Sequence, residues 1–216
     1  MDITARRSFT PSALAGLLAA AFLAGCASGP GKEQCVATDW RTVGYEDGLR
    51  GFAAERIGVH RAACGKHGVT PDLAAYLQGR ERGLQEYCLP KNGFRAGLNG
   101  GGYANVCSGP TEAAFVDAYR WGRQIYDARS ALYQTQAQLN RSRDGLVQTN
   151  TAMASVTAEL VLPKLPPDRR AVLATELVRL AQERTGLAAR IDELTIRSQE
   201  LAANVQQLER QSPYML

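Results

Sequence analysis

Pro163-Lys164-Leu165-Pro166-Pro167-Asp168 separates two long runs of helical periodicity. Before it, Ile125, Leu132, Leu139, Leu146, Met153 and Leu160 recur at heptad spacing. After it, Leu173, Leu180, Leu187, Leu194, Leu201 and Leu208 do the same. Apolar residues sustained at that spacing are the signature of a coiled-coil seam. No helix runs unbroken through the prolines, because each removes an amide donor and its ring meets the carbonyl of the preceding turn. Short helix–helix connections join antiparallel neighbours, so the stretch predicts an antiparallel helical hairpin over residues 111–212. The rival reading pairs the leucine stripes between chains, so the oligomeric state stays open.

The arms differ at their second seam position. The first carries small residues there (Ala128, Thr135, Ser142, Thr149, Val156), and the second carries Leu177, Arg184, Ile191, Ser198 and Val205. Small facing large lets layers interdigitate. A loop centred on Pro163 places Met153 opposite Leu173, Ile125 opposite Leu201 and Ser142 opposite Arg184. Each arm would be roughly 65–70 Å long at 1.5 Å per residue.

Residues 35–110 read as a smaller helical head rich in Gly and Cys. Asp39 caps a first helix from Trp40 to about Arg56. Thr70-Pro71-Asp72 starts a second, with a capping hydroxyl, Pro in the first turn and an acid at the positive end. It runs to about Cys88 and ends at Leu89-Pro90. A third begins near Phe94 and gives way to a turn over Leu98-Asn99-Gly100-Gly101-Gly102. An aromatic residue precedes Gly by three positions at Tyr45/Gly48, Tyr76/Gly79, Phe94/Gly97 and Tyr119/Gly122. A helical glycine costs about 1 kcal/mol against alanine. Close backbone approach between crossing helices offsets that cost. The alternative is a ligand surface built from Trp40, Tyr45, Tyr76, Arg80 and Tyr103. The fold class is thus all-α: a small disulfide-stabilised head, then a long antiparallel helical hairpin.

The N-terminus decides the compartment. Arg6 and Arg7 precede the apolar run from Ala13 to Leu23, which is too short for a permanent membrane span and ends at small residues. Residues 1–25 therefore read as a signal peptide. Leu23-Ala24-Gly25-Cys26 resembles the lipobox of bacterial lipoproteins. The resemblance implies cleavage before Cys26 and acylation of that residue with chains such as palmitate. Several chains on one residue anchor far more firmly than one. Residues 26–34 read as a flexible tether. Ala27 in place of Asp implies sorting to the outer membrane, facing the periplasm. With Cys26 lipidated, Cys35, Cys64, Cys88 and Cys107 form an even set in an oxidising space, where disulfides are expected. Four cysteines allow three pairings; Cys35–Cys64 and Cys88–Cys107 close the shortest loops.

Asp39-Trp40, Gly44-Tyr45, Asp47-Gly48, Gly51, Cys64, Asp72, Tyr76, Gly79-Arg80, Gly83-Leu84, Tyr87-Cys88, Phe94, Gly97, Gly101, Tyr103 and Cys107 together resemble an uncharacterised bacterial lipoprotein family. That family is known as a domain of unknown function, two-seven-nine-nine in its series. The resemblance covers roughly Cys35 to Gly122. It implies an envelope lipoprotein and assigns no activity.

No residue set converges on catalysis. His60, Cys64 and His67 are metal-ligand types, but a structural zinc site needs four ligands and Cys64 is expected in a disulfide. Gly97–Gly102 lacks the Lys-Ser/Thr of a phosphate loop. The net charge of +4 is spread along the chain without a basic stripe, which argues against nucleic acid. The expectation is a non-catalytic envelope lipoprotein with no cofactor and no metal. It would be held to the membrane through lipid on Cys26 and would meet an envelope protein partner through its hairpin. A glycan- or peptide-binding head is the alternative, and an enzyme using His60 or His67 stands behind both.

Overall fold

The structure is a computed structural model and describes residues 30–215. The signal segment and Cys26 lie outside the described residues. These form helices α1 (Lys32–Ala37), α2 (Trp40–Leu49), α3 (Ile57–Gly65), α4 (Leu73–Tyr87), α5 (Pro90–Leu98), α6 (Glu112–Leu160) and α7 (Pro167–Gln211), with no strand among them. None of the helices is long and apolar enough to cross a membrane. The chain divides into two compact units: residues 30–48 with 53–83, and residues 49–52 with 84–215.

Local chemistry explains the helix boundaries. Asp39 caps α2, accepting from the Arg41 amide at 3.0 Å and the Thr42 hydroxyl at 2.6 Å. Asp72, and not Thr70, caps α4 by accepting from the Ala75 amide at 3.0 Å. Pro90 ends one helix and opens the next, where its missing amide costs nothing. The expected helix from Trp40 to Arg56 stops instead at Leu49. Gly51 takes a left-handed φ of 71° there, and a side chain on it would overlap the Tyr87 ring. Two short helices were not expected. α1 begins at Lys32, inside the stretch read as tether, with Gly31 N–H donating to Gln34 Oε1 at 3.1 Å. α3 carries Cys64. Disulfide Cys35–Cys64 ties α1 to α3, and Cys88–Cys107 closes a second loop. Together they form the pairing whose loops are shortest in sum.

A longer internal repeat underlies the aromatic–glycine pairs. Gly44-Tyr45-Glu46-Asp47-Gly48-Leu49-Arg50-Gly51 and Gly93-Phe94-Arg95-Ala96-Gly97-Leu98-Asn99-Gly100 share Gly, aromatic, Gly, Leu and Gly at the same spacing. Cys64 is followed by Tyr76, Gly79 and Arg80 as Cys107 is by Tyr119, Gly122 and Arg123. Each unit uses its copy to cross two helices at backbone contact. In the first, a Cβ on Gly44 would overlap the Tyr76 carbonyl of α4, and one on Gly79 the Arg41 carbonyl of α2. In the second, Gly97 of α5 lies against the Tyr119 carbonyl, and Gly122 of α6 against the Phe94 carbonyl. Close approach is thus the reason for these glycines. It also places α5 and the second disulfide with the hairpin, whereas the sequence drew the boundary at residue 110.

The hairpin is antiparallel, and its register differs from the one expected. Thr149 donates to Glu183 at 3.2 Å, and a Cβ on Gly145 would touch Leu187 at 3.5 Å. Leu208 packs against the cluster of Phe94, Ala118 and Ile125. Facing residue numbers therefore add to about 332 (149 with 183, 145 with 187), where a loop centred on Pro163 gave 326. The slip is close to one heptad. It brings Leu208, not Leu201, to Ile125, and by the same spacing sets Leu160 opposite Leu173, which leaves no heptad leucine without a layer. The small seam residues Ala128, Thr135, Ser142 and Thr149 are buried, as are Leu173, Leu180, Leu194 and Val205 of the other arm. At the base of the hairpin, Tyr214 stacks on Phe94 at 5.6 Å and donates to Asp117 at 3.1 Å.

Candidate functional site

The first unit contains a buried carboxylate. Asp47, on α2, is 5% exposed. Its Oδ2 accepts from the Tyr76 hydroxyl of α4 at 2.9 Å and lies 2.8 Å from His60 Nε2 of α3. Burial, and then the bond to Asp47, push the Tyr76 hydroxyl pKa well above the ordinary tyrosine value, so it stays protonated and donates. Trp40 meets the His60 ring edge-on at 6.2 Å. The carboxylate thus joins three helices, satisfies two side chains and fixes the orientation of His60. An Asp–His pair is one part of several catalytic sets, but a set also needs a reacting group aligned on the free ring nitrogen. Among the described residues no hydrogen bond reaches that nitrogen. The arrangement acts as a polar clamp within the helix crossing.

The side chains read as a ligand surface are divided between the two units. Tyr76 is wholly buried and belongs to the core, because the Gly44 and Gly79 contacts press α2 onto α4 around it. Trp40, Tyr45 and Arg80 are half-buried in the first unit. Tyr103 belongs to the second, where it packs on Phe115 at 4.9 Å and its hydroxyl accepts from the Cys107 amide at 3.1 Å. Tyr87 packs on Phe115 at 5.1 Å, and burial, with Tyr103 and Tyr119 nearby, raises its pKa. Those rings fill a core beside the Cys88–Cys107 disulfide. The metal-ligand types also separate: Cys64 is in a disulfide, His60 is on Asp47, and His67 Nε2 lies 3.1 Å from the Pro30 carbonyl.

The hairpin tip exposes apolar side chains. Val161 is 73% exposed, Leu162 51% and Val172 58%. Beneath them the two arms are braced. Arg169 donates two bonds to Glu159, at 2.7 and 2.8 Å, and Arg170 donates to the Leu160 carbonyl at 3.0 Å, capping the end of α6. The guanidinium of Arg169 holds the Glu159 carboxyl below the usual range. A fork of two parallel bonds fixes geometry as well as charge. Apolar side chains thus stand on a rigid, closed end. Exposure at the tip was not legible from periodicity, because the loop residues lie outside the heptads; the proline-spaced Val161, Leu162 and Leu165 were the available signal.

Residues 39–124 match the family described as "Protein of unknown function (DUF2799)". The match takes in both glycine crossings up to Gly122 and leaves most of the hairpin outside. No curated protein and no solved structure matches the chain.

Proposed function

We propose that this chain is a lipid-anchored, non-catalytic lipoprotein of the bacterial outer membrane, facing the periplasm, whose hairpin is an interaction module. The lipobox-like Leu23-Ala24-Gly25-Cys26 supports the anchor. Two disulfides suit an oxidising compartment. The observation that carries the interaction role is the braced tip. Exposed Val161, Leu162 and Val172 are held on a pre-formed end, so docking loses little conformational freedom. Lys164 beside them suits a partner protein that has an apolar pocket with an acidic rim.

The test compares wild-type protein with Val161→Asp/Leu162→Asp in the cell, by cross-linking and affinity recovery. Both positions are already exposed, so the fold stays intact. A defined partner recovered by wild type and lost by the variant is the expected result. Equal recovery by both would remove the tip from the interaction. A lipid mass on Cys26, measured on the mature protein, checks the anchor separately.

A further inference from the structure

Midway along the hairpin, Gln138, Arg141, Ser142, Leu187 and Arg190 line a cleft of about 370 Å³. The seam creates it. Ser142 is a small residue at a seam position where the neighbouring layers carry Leu139 and Leu146, so the arms leave space above it. The observed register brings Arg190 of α7 to this point (142 with 190 again gives 332), and Arg141 stands beside Ser142 on α6. The other arginine–carboxylate contacts of the hairpin are Arg123–Asp127, Arg129–Glu209, Arg169–Glu159, and Arg179 with Glu176 and Glu183. Arg141 and Arg190 take part in none of these. Both are exposed, and the Ser142 hydroxyl, in a residue only 6% exposed, has no hydrogen-bond partner among the described residues.

Positions flanking an antiparallel seam ordinarily carry opposite charges. Here an arginine from each arm lines the cleft, and no carboxylate residue does. A glutamine amide and a free hydroxyl stand beside them. We propose that this cleft binds a phosphate-type oxyanion. A carboxylate offers two oxygens and is satisfied by one guanidinium fork. Two guanidiniums, an amide and a hydroxyl suit a tetrahedral group with more acceptors and more charge. The phosphate could belong to a small free phosphate compound or to a phospholipid headgroup, since both present the same oxygens. This inference does not depend on the tip or on its partner.

The experiment is a calorimetric titration of the full chain with two probes, each against sodium chloride at matched ionic strength. One probe is inorganic pyrophosphate. The other is glycerophosphoglycerol, the water-soluble phosphodiester of a phospholipid headgroup. Saturable binding of either supports the site, and which probe binds identifies the source of the phosphate. Arg141→Gln and Arg190→Gln keep helix propensity and remove charge. Each should weaken binding by about tenfold or more, and the pair should abolish it. Lys164→Gln should leave binding unchanged. Heat no larger than that of chloride with both probes would overturn the proposal, as would affinity that survives the double substitution.

Discussion

The two glycine-crossed helix pairs share a backbone solution and differ in what fills it. α2 crosses α4 as α5 crosses α6, with one glycine from each helix against the other's carbonyl. In the first pair Asp47 lies among Tyr76 and His60. In the second, Ala96 stands at the place of Asp47, and Tyr119 donates instead to the Gly101 carbonyl at 2.9 Å. The second pair shows that the crossing needs no buried carboxylate. The Asp47 clamp is therefore an addition to the crossing. The glycines are the common requirement.

The largest effect expected follows from that requirement. Gly44→Ala and Gly97→Ala each place a Cβ on backbone that cannot move aside, and each should destabilise its own unit by about 3 kcal/mol or more. Denaturant unfolding followed by Trp40 in the first unit and Trp121 in the second measures this. Comparable losses in both units would sharpen the comparison, and a harmless alanine at either site would break it.

The clamp should show a smaller effect. Asp47→Ala leaves the Tyr76 hydroxyl buried without its partner, at a cost of about 1–3 kcal/mol. Adding Tyr76→Phe removes the stranded group, so the double variant should be more stable than Asp47→Ala alone. If the double variant were the less stable, the clamp could not be a separable addition.

The clamp also predicts a pH dependence. A folded-state pKa raised above the unfolded one contributes stability that is complete below the unfolded value, about 10 for tyrosine, and is lost as the pH rises further. Tyr76 is raised mainly by burial, so the first unit should lose stability above about pH 10. Tyr76→Phe should flatten that alkaline limb as seen by Trp40. An unchanged limb would mean that another group sets it. The smallest effect belongs to the hairpin: Gly186 faces open space on α7, so Gly186→Ala should raise its stability by about 1 kcal/mol in thermal unfolding.

The hairpin was legible because each heptad leucine reports the same seam, and the proline run marks its turn. Its register was not, since a slip of one heptad keeps leucine facing leucine. Only the need to pair Leu160 with Leu173 separates the two registers. The disulfides were legible from spacing and compartment. Helices α1 and α3 leave no periodic signal because they are short and glycine-flanked, and Cys35–Cys64 ties them together. The aromatic–glycine pattern fits a ligand groove and a close crossing equally well in one dimension. It took the contact of Gly79 with the Arg41 carbonyl to place Tyr76 inside, and the contrast of Asp47 with Ala96 to show which side chains the crossing demands.

The proposal that the hairpin tip is the working end is tested most directly by site-specific photo-cross-linking in the cell. A photoreactive side chain is placed at Leu162 on the tip or at Val59, an exposed position of α3 in the first unit. A discrete adduct is expected from position 162 that disappears with Val161→Asp, and none from position 59. An adduct from position 59 with nothing from position 162 would contradict it and move the interaction to the head.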